Sequence, residues 1–519
     1  LSYINGHEPR NQGEVRTQDA TRTALNPQDR RGAQALGKLT FNVADGNVFR
    51  AAIEVADTQV DTQAFSSRSA AALDVTSYDT MQRRRVSLDH SIVNRWGLTQ
   101  WAWSAYLQQS NTNQIVDEVR APAGTTPKLN RHGTLTYSQD SYGGTGQGRK
   151  AFTGNHQALL LTVGGSYKHH TFDMLRDRVD LNASTGAIVP AANLILPTKY
   201  FPTSAVAETG GYGQGELRLG RLLLVPGIRY DHFLLNADRA DQVFLATLSP
   251  APADFSAGAV SSKLGASLRV SNAATVHAQY AGGFRAPPYS AINSGFTNLL
   301  GGYTSIPNTD LKPETSDNME AGVRSTVGRI SVGATVFSNH YDNFINQLAR
   351  GVNPSSGLLE YQYQNVSKVE IHGLELQADA RLTRRLRLRG SYAVIRGNDV
   401  SAPADVPLNS IAPDQGVVAL AYAVPANRWG ADVSVRTARG QSQATAGAGF
   451  FTPEAFHVVD VTGWLALTRT VTLRAGVLNL TDAKYFEWPN VRGRQATDPT
   501  IDRYSSPGIS GLVSVSYGW

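Results

Sequence analysis

Gly283–Glu320, GFRAPPYSAINSGFTNLLGGYTSIPNTDLKPETSDNME, interrupts a chain otherwise written in alternating residues. The run Thr275–Tyr280 reads as a strand that stops at Gly282 and Gly283. Pro287, Pro288, Pro307 and Pro313 then punctuate a polar stretch, and strand patterning resumes after Asn318. Proline donates no ladder hydrogen bond, so a sheet cannot run through it. Residues 284–318 are therefore expected to form one large loop, and loops of that size are functional or disordered. This one carries Tyr289 and Tyr303, with neither histidine nor cysteine between them.

Working outward, the flanking sequence alternates with a period of two. Ile330, Val332, Ala334 and Val336 oppose Ser331, Gly333 and Thr335. Leu386, Leu388, Tyr392 and Val394 oppose Arg387, Arg389 and Ser391, and Val471, Leu473, Ala475 and Val477 repeat the pattern. In a strand this puts the apolar side chains on one face. A soluble sandwich would turn the polar face to water, whereas an outer-membrane barrel turns it to a wet lumen and the apolar face to lipid. Three features favour the barrel. Strands recur along the whole length, tight turns alternate with long polar loops such as Asn111–Thr153, and the chain ends on a strand. In that last strand Val513, Val515, Tyr517 and Trp519 share a face. The expected fold is all-β, an antiparallel transmembrane β-barrel of about 20–22 strands over residues 1–519.

Composition sets outer bounds. The 519 residues contain no cysteine, 48 glycines and 3 methionines, so no disulfide framework or thiolate metal site can be drawn. The formal charge of +6 is spread out, without a basic stripe interleaved with aromatics, which argues against nucleic acid as a partner. No apolar run reaches the roughly 18 residues of a membrane helix. No phosphate cradle, HExxH or nucleophile elbow is present, so no enzyme is expected. Gly143–Gly148 reads as a loop tip. His169 and His170 are adjacent in a strand, where neighbours face opposite sides and cannot share a metal. Trp96, Trp101 and Trp103, near a strand over Asp89–Gln109, suit an interfacial girdle. Gln157–Val179 and Gly211–Leu235 read as two hairpins, with Pro226 at a bulge or a strand start rather than inside a strand.

Phe284-Arg285-Ala286-Pro287 and Asn308-Thr309-Asp310-Leu311, followed by Lys312-Pro313-Glu314, resemble the paired FRAP and NPNL boxes of TonB-dependent outer-membrane haem and haemoglobin receptors. Asn365-Val366 to Gly373-Leu374-Glu375, Leu478-Asn479-Leu480-Thr481-Asp482 with Tyr485, and Asn11-Gln12-Gly13 near the start are similar to other segments of that family. The resemblance implies that 284–318 is an extracellular loop bearing one axial ligand for haem iron. The family's usual ligand there is histidine. Tyr303, after Gly301-Gly302, is the expected replacement, with Tyr289 as the alternative, both candidates for haem binding. Arg285, Asn308, Leu311, Pro313 and Glu314 are expected to fix the loop, and Tyr517 with Trp519 to form the barrel's assembly signal.

The resemblance further implies an outer-membrane location, haem as transported ligand rather than resident cofactor, and a haemoprotein as its source. Implied partners are the TonB complex acting through a plug, the barrel assembly machinery, and outer-membrane lipid with lipopolysaccharide. On this reading the segment from Leu1 starts after the plug and the first strands. A ferric-siderophore transporter, a passive porin and a surface adhesin barrel remain open alternatives.

Overall fold

In a computed structural model the alternation becomes one sheet. The structure describes all residues except 156, 192–193, 247–250, 299–302, 402–404, 425–427, 443–448 and 519. Among the described residues the sheet has 23 strands. Three are short loop pieces, Thr297–Asn298, Tyr303–Ile306 and Val406–Pro407; the other twenty form an up-and-down antiparallel meander from Ser2–His7 to Ser510–Tyr517.

The two rims differ. On one rim strands join through two to five residues, as at Gly220-Arg221 and Gly328-Arg329, where each glycine takes a positive φ (56° and 58°). On the other rim lie the long segments 8–27, 183–203, 238–254, 286–313, 439–455 and 479–509. Outer-membrane barrels have this asymmetry, with short periplasmic turns and long extracellular loops. The longest strand, Gln157–Asn182, has 26 residues, where about 9–11 suffice to cross a membrane. The surplus stands above the bilayer on the long-loop side.

One face of the sheet is apolar and bare: Val163, Val260 and Val513 are 67%, 64% and 74% exposed. The opposite face is concave and polar, with Ser331, Gln377, Asp379, Arg389, Asp432 and Ser434 side by side. Arg387 pairs with Asp379 on the neighbouring strand at 2.5 Å, and Arg389 reaches Asp432 at 3.5 Å across the intervening strand Gln415–Ala423. A soluble body would bury the first face and expose the second; here the polarity is that of a lipid-facing wall around water. The sheet curls until the loops beside its two edge strands meet. Asn11 Nδ2 donates to the carbonyls of Asp502 and Arg503 at 3.3 and 3.0 Å, and the Gln12 amide to Ser505 Oγ at 2.9 Å.

Several local expectations are corrected. Asn111–Thr153 is not a loop but the upper part of Leu98–Arg120 and the whole of Leu129–Thr153. Gly143–Gly148 is mid-strand rather than a loop tip, and Gly146 and Gly148 leave room for the Trp101 ring on the lipid face. Gln157–Val179 lies in a single strand, and Asp89–Gln109 spans two, Ala72–Arg95 and Leu98–Arg120, turning at Trp96-Gly97. For Asn111–Thr153 and Gln157–Val179 the strands run far beyond the length needed to cross a bilayer, where polar residues suit both faces and the alternation fades. Pro226 sits inside Leu222–Ala237, and the register with Ser204–Leu219 skips from Gln214↔Gly227 to Leu217↔Leu224 around it. The missing amide is thus met by a local gap in one ladder.

Candidate functional site

The large loop is closed at its base by the two boxes themselves. Phe284 pairs with Thr315 and Arg285 with Glu314 as the last rungs between Ala274–Arg285 and Glu314–Val327. The buried Glu314 carboxylate accepts from Arg285 Nη1 at 3.1 Å and from the Ile345 amide at 2.8 Å. One side chain therefore joins three strands at the loop's root.

Beyond Arg285 the chain turns inward. Pro287 is fully buried, and Pro288 leads a one-turn helix, Tyr289–Ile292. Ala291 and Ile292 enter an apolar cluster with Phe172, Met174, Phe201, Val206, Phe233, Leu235 and Leu311; Ala286 and Ile345 pack against it. The Tyr289 ring stacks on Phe172 at 4.1 Å, meets Phe201 edge-on at 5.0 Å, and its hydroxyl lies 3.0 Å from that of Tyr137. Burial, and then the Tyr137 hydroxyl, push the Tyr289 phenol well above the usual tyrosine range. A phenolate is disfavoured in that setting.

The second box is held by the neighbouring hairpin. Asn308 Nδ2 donates to the Tyr363 carbonyl at 2.8 Å, and its Oδ1 accepts from the Asp310 amide at 3.0 Å. Leu311 is buried in the cluster, and Pro313 is half-buried beside Glu314. Asn365 accepts from the Lys312 amide at 2.7 Å and donates to the Lys312 carbonyl at 2.8 Å.

Tyr303 opens the short strand Tyr303–Ile306, which runs parallel to Leu359–Gln362 of Leu359–Arg381. Its ring stands edge-on to Phe296 and Tyr361, each at 5.9 Å. Behind it the Ser294 and Ser305 hydroxyls lie 2.7 Å apart, and the Ser305 amide donates to the Phe296 carbonyl at 2.7 Å. Among the described residues the Tyr303 hydroxyl has no hydrogen-bond partner, in contrast to Tyr289. Gly301 and Gly302 lie outside the described residues, as does Trp519; Tyr517 lies in the final strand, on its lipid-facing side.

Neighbouring loops that the sequence reading did not single out complete the mouth. Lys199 Nζ reaches Asp173 at 2.6 Å, Asp241 at 2.8 Å and Thr203 Oγ1 at 2.9 Å. Asp241 also accepts from the amides of Thr203 and Phe244. Asn293 exchanges two 2.8 Å bonds with the backbone of Ala253, and the Gly295 amide donates to the Tyr200 carbonyl at 2.9 Å. Segments 183–203, 238–254 and 286–313 are thus one interlocked cap. A usable signal was present in Thr171-Phe172-Asp173-Met174: apolar residues occupy positions that are polar lower in the same strand, marking where the inner wall becomes a packing surface.

The chain matches the TonB dependent receptor-like, beta-barrel family over residues 11–480. Hemoglobin-haptoglobin-binding protein A of Haemophilus influenzae is 28% identical over 302 residues, which are 51% of this chain and 28% of that protein. Hemoglobin-haptoglobin utilization protein B of Neisseria meningitidis serogroup C is 26% identical over 278 residues, 45% of this chain and 34% of that protein. The matched part is thus about a third or less of these relatives' length. Among solved structures, the copper transporter OprC superposes with a TM-score of 0.71 at 17% identity, covering 99% of this chain and 75% of that one. The Serratia marcescens hemophore receptor HasR, in complex with its hemophore and heme, superposes at 0.67 and 16%, with 99% and 75% coverage. Such identities speak for the fold alone. With the meander, the bare apolar face and the rim asymmetry, the match over most of its length means that this chain belongs to the TonB-dependent receptor β-barrel family of the bacterial outer membrane.

Proposed function

We propose that this barrel forms the wall and mouth of a receptor that takes up haem from haemoproteins, with Tyr303 as one axial ligand to the iron. The observation that carries the reading is the presentation of Tyr303. It stands on a loop pinned at both boxes, and its oxygen is left without an internal partner among the described residues. Haem iron accepts tyrosine as an axial ligand. The proton leaves on binding because the metal's charge favours the phenolate. The hemoglobin-haptoglobin binding named for one relative and the hemoglobin-haptoglobin utilization named for another support the same cargo. Tyr289 serves as a packing anchor. A second axial ligand would come from a plug domain inside the barrel, on which the TonB complex would pull, while lipid, lipopolysaccharide and the barrel assembly machinery would meet the outer wall.

The test is haem titration of the detergent-solubilised protein. Wild type is expected to give the iron(III)–phenolate charge-transfer absorption, and Tyr303→Phe to lose it. An identical spectrum from the two proteins would remove Tyr303 from the site.

A further inference from the structure

Below the Pro287–Ile292 turn lies a cavity of about 550 Å³ that does not include Tyr303. Phe172, Val206, Phe233 and Pro287 give it an apolar wall, and Tyr289 closes its top. Neither Phe296 nor Tyr361, the ring neighbours of Tyr303, reaches it. Its size is that of a small-molecule site, and its lining divides between an apolar side and a polar side of Gln139, His170, Glu208, Asp231, His232 and Arg285.

The polar groups are unequal in what they have left to offer. Arg285 spends Nη1 on Glu314, while its other guanidinium nitrogens have no partner among the described residues and the side chain is 65% exposed. Gln139 Nε2 donates to Ser141 Oγ at 3.1 Å, and that oxygen lies 2.8 Å from His170 Nδ1. Gln139 Nε2, which can only donate, also lies 3.3 Å from Nδ1; with Nδ1 as the acceptor, the neutral ring carries its proton on Nε2. Nε2 has no partner among the described residues. On the acceptor side, both Asp231 oxygens are taken by Arg229 Nε, at 2.8 and 2.7 Å. His232 Nε2 faces Ser256 Oγ at 3.1 Å. Glu208 keeps free lone pairs, with its charge offset by Lys168 Nζ at 3.7 Å. Spare N–H donors beside an aromatic and aliphatic wall suit a flat apolar molecule that carries carboxylates.

We propose that this cavity is a second tetrapyrrole station, inward of Tyr303, that holds the ligand by its acid side chains rather than by its metal. This rests on the haem reading for the identity of the flat body. The acid groups would accept from Arg285 and His170 Nε2, and the ring would lie against Phe172 and Phe233.

Metal-free protoporphyrin IX tests it, because that probe cannot ligate through Tyr303. Its fluorescence anisotropy would be followed with the solubilised full chain, alongside the dimethyl ester of the same porphyrin. Wild type is expected to bind the free acid, with the diester at least tenfold weaker. His170→Leu should weaken the free acid by about tenfold, as loss of one hydrogen bond to a charged group does. Val206→Trp, which fills the cavity, should abolish binding. If that variant fails to fold, His170→Leu and the diester still decide. The proposal is overturned if the free acid does not bind wild type, if the diester binds as well, or if His170→Leu binds unchanged. The haem reading is scored separately, from the iron–phenolate band, so either can fail alone.

Discussion

Glu314 shows how much of the mouth hangs on one side chain. Its two oxygens serve two different strands, one through Arg285 and one through the Ile345 amide. Glu314→Ala would leave the Ile345 amide without its acceptor, at a cost of about 1–3 kcal/mol, while the exposed Arg285 guanidinium would turn to water. The barrel has other ladders to hold it, so the expected result is local: cleavage within 286–313 under limited proteolysis, with unchanged strand content by circular dichroism. Glu314→Gln keeps an acceptor for the Ile345 amide and should lie between. The importance of this residue was legible from its place in the second box, whereas its bond to Ile345 was not. That contact needs a third strand brought alongside, which no local pattern encodes.

Between elements, the Lys199 cluster ties 183–203 to 238–254 and to the end of Gln157–Asn182. Burial pushes the Asp241 carboxyl up, but the Lys199 ammonium and the amides of Thr203 and Phe244 outweigh it and hold the group below the usual range. Burial likewise pushes Lys199 down, and Asp173 and Asp241 more than reverse it. A depressed carboxyl stabilises above its unfolded pKa, about 3.9, and that contribution is lost as pH falls through the folded value. A raised ammonium stabilises below about 10.4 and loses its contribution as pH rises through the folded value. Amide-exchange protection at Thr203 and Phe244 is therefore expected to be level from about pH 5 to pH 9 and to fall below about pH 4. Lys199→Met would leave Asp241 buried without a counter-charge, costing about 3–5 kcal/mol, and should loosen the cap even at neutral pH. Protection that drifts steadily between pH 5 and 9 in the wild type would contradict this account.

For the whole molecule, the telling contacts join the two ends of the chain. Arg503 Nε donates to the Arg22 carbonyl at 3.0 Å, Asn11 bridges Asp502 and Arg503, and the guanidinium of Arg22 is itself folded back on the carbonyls of Arg16, Thr17 and Leu25. These bonds fasten the loop after Ser2–His7 to the loop before Ser510–Tyr517. Arg503→Ala should lower the temperature at which the folded barrel loses its faster gel mobility by no more than about 4 °C. The haem spectrum should stay the same. A large loss of folded barrel would mean that the loops, rather than the strand ladders, carry the fold.

The class of fold is written in the chain's own local pattern, because period two is a property of each strand alone and the choice of lipid outside and water inside follows from its polarity. The root of the loop is written there too, in two short boxes whose prolines cannot continue a ladder, although the strand runs on through Gly282 and Gly283 to Arg285 rather than stopping at them. What the tertiary structure decided is the length of the strands beyond the bilayer, where water on both faces erases the alternation. It also decided the fate of the two tyrosines, one locked among rings and one whose oxygen has no partner among the described residues. That difference arises from contacts with Phe172, Tyr137 and Tyr361, residues far away in sequence that meet the loop only once the sheet has curled.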